Sequence, residues 1–498
     1  MGDINIIIGP PGTGKTTELL NLVNSALFKG IDPQKIGFVS FTKKSVDEAK
    51  ARAALKFSKA QNYFNFFRTI HSLAFYQLSM NKASVIEKKH YKEIGDLLGL
   101  TIKGRNAADY SIEELDKGDQ LVFIESLARM RCEDVEVTYN RELLDFSLFE
   151  LQVFKETYDK FKRVNRLYDF TDMLTRFYDI GHIPDLDVLF VDEAQDLCAL
   201  QWRIIERMIG NTKTTYIAGD DDQAIFRWSG ADIEYFIELS KTHPTKILSQ
   251  SYRVPKAVHS SASALIKDVK YRVPKAYEPT VFPGSVNYIS DIDDVNLDQG
   301  EWLVLVRNTF MINPIISYLR LVGYTYTSKY KSSNKDDSLL AAINWERLRK
   351  GEGLTYDLVC EVFSYMSPRM FKGTLPLMKS TVILTMNEIK NYITFRIEPV
   401  IWHIMLDRIS VEDREYLIAV RRRGGSFLTK PRITISTIHG AKGGESENVV
   451  LFTDLSLRTY KKMMENYEDE VRVFYVGMTR AKKNLYIVHQ HTNCAFQI

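Results

Sequence analysis

Apolar residues gather along this chain in short runs, not in long stripes. Ile4, Ile6, Ile7 and Ile8 lead into a glycine-rich turn, and Thr17, Glu18, Leu19 and Leu20 open a helical stretch after it. Ile36–Phe41 (IGFVSF) reads as a second strand, followed by a helical segment from Ser45 to Leu55. Val188–Val191 is a buried strand ending in Asp192-Glu193, and Thr215–Ala218 another ending in Gly219-Asp220. A second set starts near Lys246 (KILSQSYR) and continues at Trp302–Val306, Ile433–Ser436, Val449–Phe452 and Leu485–Val488. Short apolar strands alternating with helical stretches predict an α/β fold with parallel sheets. The spans 86–160 and 331–430 read as mostly helical insertions. The expected organisation is a first α/β domain from 1–85 plus 161–245 carrying the insertion 86–160. A second domain from 246–330 plus 431–498 carries the insertion 331–430.

Composition narrows this picture only a little. The 498 residues are 45% hydrophobic and 26% charged, ordinary for a globular chain. The net charge of +3 provides no global basic field, so any nucleic-acid contact must rest on local surface. Cys132, Cys198, Cys360 and Cys494 are scattered, with no C-x-x-C pair, which suggests reduced thiols in a cytosol-like compartment. No run of about 18 apolar residues predicts a membrane span. The N-terminal residues lack the charged-then-apolar pattern of a signal peptide.

The chemistry begins at Gly9–Thr16 (GPPGTGKT), set between a strand and a helix. Glycines at 9, 12 and 14 let the backbone curl so that successive N–H groups and the positive end of the helix face an anion. Lys15 is placed to reach the β- and γ-phosphates, and the Thr16 hydroxyl to ligate magnesium. The acidic pair of FVDEAQD lies at the carboxyl end of a buried strand, where open α/β sheets bind ligands. Asp192 is assigned to the metal and Glu193 to the general base. In Ala218–Asp232 (AGDDDQAIFRWSGAD), Gln223 is a candidate γ-phosphate sensor. Phe226 and Trp228 are candidates for base stacking, worth about 1–3 kcal/mol per base. Core packing is an even alternative for Phe226 and a lesser one for Trp228.

Ordered blocks over nearly the whole chain make it resemble the UvrD/Rep family of superfamily 1 (1A) DNA helicases. FTKKSVDEAKAR (Phe41–Arg52) and RTIHSLAF (Arg68–Phe75) resemble the family's strand-contacting blocks, which carries DNA contact over to Phe41, Thr42, Thr69 and His71. LYDFTDML, VDEAQDL and GDDDQAIFRWSGAD follow in the family's order, then QSYRVP, TIHGAKGGESENVV and VFYVGMTRAKKNL. The resemblance implies two RecA-like P-loop domains, each with a helical insertion subdomain. It places nucleotide contacts at Gly9, Pro10, Pro11, Gly12, Thr13, Gly14, Lys15, Thr16, Thr17, Tyr252 and Glu445, and DNA contacts at Phe226, Trp228, Thr437 and His439. Arg253 lies in the second α/β set, and Arg480 is read as opening a helix after a strand-like VFYVGM. Each can present a planar guanidinium to the γ-phosphate. Two positions depart from the family: Thr17 stands where an arginine follows the Lys-Thr of the loop, and Gly444 replaces an apolar residue.

What the resemblance implies is an ATP- and Mg²⁺-dependent DNA helicase or translocase, a DNA-stimulated ATPase moving 3′→5′ on single-stranded DNA. Its track would be single-stranded and tailed duplex DNA. It would act as a monomer in the cytoplasm, beside replication or repair proteins. Two other readings stay open: a translocase that strips proteins with little unwinding, and an ATP-switched DNA-binding module that is not a motor.

Overall fold

The computed structural model describes residues 2–498 apart from 41–42, 57–62, 106–114, 143, 329–331, 334–336, 395–399 and 426–428. Its first sheet has six parallel strands: β1 (Asp3–Ile8), β2 (Ile36–Ser40), β3 (Phe67–Thr69), β4 (Leu186–Asp192), β5 (Thr212–Gly219) and β6 (Thr245–Ile247). They lie in the order β3-β2-β4-β5-β1-β6. Every residue of β2 is buried, as is nearly all of β4, because helices cover both faces. Strand alternation sorts the side chains of β1. Ile7 joins Leu19, Val23, Phe38 and Phe190 under the helices α1 (Lys15–Phe28) and α2 (Lys43–Lys56). Ile6 and Ile8 join Leu73, Leu174, Phe177 and Trp202 in the opposite core.

The run at Lys246 opens no second sheet. It pairs with β1 as the short edge strand β6, Lys246 opposite Ile7, and so completes the first sheet. Its three residues are exposed, so hydrophobicity alone could not assign it.

After β3 and α3 (Ile70–Gln77), helices α4 (Lys88–Leu98), α5 (Lys117–Arg131), α6 (Val135–Arg141) and α7 (Leu148–Asn165) pack around Ile94, Leu121, Phe154 and Tyr158. Ser147 and Glu150 form a capping box at the start of α7. Asp169 and Asp172 form another at α8 (Phe170–Ile180), a device worth about 1 kcal/mol. The buried Asp169 also accepts from Lys162 at 2.8 Å, Tyr158 at 3.0 Å and Arg129 at 2.7 Å, which ties this helical layer to α8.

The chain forms two compact units, residues up to 290 with 438–498, and 291–437. In the first unit, strand Ala481–Val488 pairs in parallel with Ser285–Ile289 and with Ser446–Phe452. In the second, Ile433–Thr437 pairs in parallel with Trp302–Val306 and with Tyr326–Ser328. The second unit also holds helices Asp337–Arg349, Tyr356–Ser364 and Val411–Arg422, and a two-residue antiparallel pair, Leu354–Thr355 with Ile383–Leu384.

VFYVGM, read as strand-like, is the end of helix Tyr467–Met478, and Arg480 precedes a strand instead of opening a helix. Every residue from Glu470 to Met478 is buried, so this stretch of the helix turns no face to solvent. A short apolar run of this kind cannot be told from a buried strand by periodicity.

Candidate nucleotide and nucleic-acid site

The glycine loop joins β1 to α1. Gly9 N–H donates to the Gly219 carbonyl at 3.0 Å, and Thr13 folds back on Pro10 through both its N–H and its hydroxyl. Gly12 and Gly14 have φ of 75° and 81°, left-handed values that favour glycine. A Cβ on Gly12 would sit 2.5 Å from that of Arg253, so the close approach of that segment requires glycine. Gly14 caps α1 with no side-chain hydrogen bond, which leaves the first-turn N–H groups to an anion. Lys15 donates from Nζ to the Gly9 carbonyl at 2.9 Å.

Thr16 donates from Oγ1 to Asp192 Oδ2 at 2.9 Å, which brings together a hydroxyl and a carboxylate. Two such oxygens beside a phosphate-binding loop fit a hard divalent cation that keeps most of its ligands from water and phosphate. Burial, and next the adjacent Glu193 carboxylate, push the Asp192 pKa up, against Lys15 and the Thr16 hydrogen bond. Burial acts the same way on Glu193, but Lys15, Lys442 and the Gln195 hydrogen bond outweigh it and hold Glu193 ionised. The more acidic carboxylate of the pair is thus the one assigned as base. Glu193 has φ of 54°, a left-handed backbone rare outside glycine, asparagine and aspartate.

Around this pair runs a chain of amides. Gln195 donates to Glu193 at 2.5 Å and accepts from the Asp220 N–H at 3.0 Å. Gln223 donates from Nε2 to Asp220 at 2.6 Å and accepts at Oε1 from Arg480 Nη2 at 2.9 Å. Arg480 is buried; burial first, and then Arg253, lower its pKa to about 9, so it stays charged at neutral pH. Arg253 lies 3.4 Å from Glu445, and its buried Nε has no hydrogen-bond partner among the described residues. Ser251 donates to the Pro11 carbonyl at 2.8 Å, and the Tyr252 N–H to Gly12 at 2.9 Å, so this segment rests on the glycine loop. The Tyr252 ring is 78% exposed, open for a base to stack on. Thr17 is exposed on α1.

Lys442 is a site residue that motif reading passed over. It reaches Asp196 at 2.7 Å and the Gln223 carbonyl at 2.8 Å, and sits 5.1 Å from the Phe226 ring centroid. The sequence did offer a signal, a lysine between an alanine and two glycines in AKGG. Gln195 and Asp220 were passed over as well, because a buried amide chain has no sequence signature.

The candidate DNA residues fall in separate places. Phe226 and Trp228 are half-buried, with ring centroids 5.8 and 6.0 Å from that of His439. Trp228 also leans on Phe123 of α5 at 6.0 Å. His439 is largely buried and bonds through Nε2 to the Ile225 carbonyl at 3.0 Å. Thr69 caps α3 by accepting from Ser72 N–H at 3.2 Å. The His71 ring lies 5.9 Å from that of Phe170, which is 60% exposed. Thr437 ends its strand in the second unit, half-buried. Phe41 and Thr42 lie outside the described residues. No helix among the described residues is long and apolar enough to cross a membrane.

Residues 1–244 match the model of the UvrD/REP helicase N-terminal domain, and 420–492 that of the UvrD-like helicase C-terminal domain. The chain is 28% identical over 290 residues to a probable DNA helicase II homolog of Mycoplasma capricolum, 53% of this chain and 39% of that one. It is 23% identical over 284 residues to the ATP-dependent DNA helicase PcrA of Staphylococcus aureus, 54% of this chain and 39% of that one. The chain thus spans about two fifths of the length of these two relatives. A probable DNA helicase II homolog of Mycoplasma genitalium is 22% identical over 97% of this chain and 82% of its own. The two domain models together take in well over half of the residues, and the chain, α/β with two RecA-like domains, belongs to the UvrD/Rep helicase family.

Proposed function

We propose that the protein is an ATP-dependent DNA helicase that couples ATP hydrolysis to 3′→5′ movement on single-stranded DNA and separates tailed duplexes. The observation that carries this reading is one electrostatic neighbourhood. Lys15 and the Thr16–Asp192 pair sit at the glycine loop, the Arg253 segment rests on that loop through Ser251 and Tyr252, and Arg480 is bonded to Gln223 beside Asp220. Two charged guanidinium groups near each other call for an anion, and the glycine loop supplies the place where a triphosphate binds.

In this reading Lys15 exchanges the Gly9 carbonyl for the β- and γ-phosphates, and Arg253 and Arg480 bear on the γ-phosphoryl group. Glu193 accepts the proton of the attacking water as its oxygen bonds to phosphorus and ADP leaves. Thr16 and Asp192 would hold Mg²⁺, which supplies positive charge to the phosphate oxygens. Gln223 and Lys442 lie between this chemistry and the Phe226, Trp228 and His439 cluster, which gives ATP state a route to a stacked DNA strand. Stacking and phosphate contacts read no sequence, so binding should be salt-sensitive and nearly indifferent to base order. Thr17, too short to cover a base, supports a loose grip on adenine. Residues 86–160 and 331–430 are proposed as the two insertion subdomains, and a monomer as the working form.

The test is ATPase rate with single-stranded DNA, duplex DNA, RNA and no polymer, with Lys15→Ala beside the wild type, followed by unwinding of 3′- and 5′-tailed duplexes. Stimulation by single-stranded DNA that is lost in Lys15→Ala, with unwinding from 3′ tails, is expected. Wild-type hydrolysis by Lys15→Ala would remove the assigned site. Streptavidin displacement without unwinding would favour a stripping translocase.

A further inference from the structure

Three consecutive carboxylates, Asp220, Asp221 and Asp222, sit after β5 with almost no exposure. Such a row is costly unless cations meet it. Lys275, itself 1% exposed, meets all three: 3.2 Å from Asp220 Oδ1, 3.0 Å from Asp222 Oδ2, and hydrogen-bonded to Asp221. Arg272 forks onto Asp222, with Nε at 2.7 Å. The Val273 N–H donates to Asp221 at 2.8 Å. Arg472, on the helix leading to Arg480, donates to the Asp221 carbonyl at 3.1 Å and to that of Tyr271 at 2.9 Å. Three separate segments are thus fastened at one point.

Asp220 is where this clamp meets the chemistry. One of its oxygens faces Lys275 while the other accepts from Gln223 Nε2. An amide has one donor end and one acceptor end. By taking the donor end, Asp220 turns Oε1 toward Arg480.

We propose that Lys275 is a positioning residue for the Gln223–Arg480 pair, acting through Asp220. It touches neither nucleotide nor DNA. Its ammonium pairs with Asp220 and holds that carboxylate in place, and Asp220 sets which way the Gln223 amide points. Without it, Asp220 loses its cation, only Arg272 is left to meet the row at Asp222, and the amide loses its fixed direction. This inference rests on the ATPase reading of the site.

The experiment is a double-mutant cycle in the full chain, with kcat and KM for ATP read alongside affinity for a fluorescent ADP analogue. Lys275→Met should lower kcat about tenfold or more, with KM and ADP-analogue affinity within about threefold of wild type. In the Gln223→Ala background the same change should lower kcat no further, because the group it positions is gone. Asp220→Asn keeps shape and removes charge. It should show a smaller fall in kcat, also absent with Gln223→Ala, and it serves if Lys275→Met does not fold. Wild-type kcat in both Lys275→Met and Asp220→Asn, or a full further fall in the Gln223→Ala background, overturns the proposal. Should Gln223→Ala itself turn over ATP at the wild-type rate, the ATPase reading of this site falls, and the positioning role with it.

Discussion

Arg480 donates from Nη2 to Gln223 Oε1 at 2.9 Å, a bond between residues 257 apart in sequence. It joins a loop after β5 to the start of strand Ala481–Val488, and it holds a buried guanidinium beside Arg253. The arginine is also anchored by its own Nε to the Val476 carbonyl at 3.0 Å and by Nη1 to Gly444 at 3.3 Å. A planar fork with three fixed directions is being used, not charge alone.

Arg480→Lys should therefore act as a severe change. Turnover should fall about a thousandfold or more, the range of a lost arginine finger, while nucleotide affinity changes little. Single-turnover hydrolysis with a parallel binding titration measures both. Unchanged turnover would take Arg480 out of the reaction.

Glu193→Gln keeps the shape and the Gln195 neighbour but removes the proposed base. A general base contributes about 100- to 10,000-fold, so kcat should drop by that order with KM nearly unchanged. A loss in KM alone would assign Glu193 to binding.

Trp228→Ala removes a half-buried ring that touches Phe123 and His439. Single-strand affinity should weaken by about 1–3 kcal/mol, and hydrolysis should continue with less movement per ATP. Fluorescence anisotropy and a translocation assay separate these outcomes. A lower melting temperature with intact DNA affinity would place the ring in the core between the insertion and the first sheet.

His71 gives a pH dependence with a definite sign. Burial lowers its pKa to about 4, against the opposing pull of Asp169, so the ring is neutral at pH 7. The unfolded chain takes up this proton near pH 6.5, ahead of the folded one. Stability should be complete above that value and should decline as pH falls from about 6.5 to 4. Thermal melts across that range should show a smaller decline for His71→Gln than for wild type. Equal declines would mean the folded protein protonates this ring freely.

The strands that reading the sequence located are those buried on both faces, such as Val188–Val191, where an unbroken apolar run has little other use. Among those it missed, FRT at 67–69, SVNYI at 285–289 and YTS at 326–328 are short and mixed in polarity. VFYVGM was placed in the wrong class because a helix buried all round carries no amphipathic stripe. At the candidate site, residues of a contiguous motif, such as Lys15, Asp192 and Glu193, could be proposed from the sequence. Lys275 and Gln195 could not, since their meaning comes from partners brought close only by folding.

Glu193 spends the folded lifetime of the protein in a backbone region that suits glycine. That conformation costs about 1–2 kcal/mol for an L-residue. On the proposed role of Glu193 as base, heat tolerance and turnover pull against each other at a single Cα: a glycine there would relax the turn after β4 and remove the proposed base. On that proposal, the strained turn is where the molecule has traded robustness for chemistry.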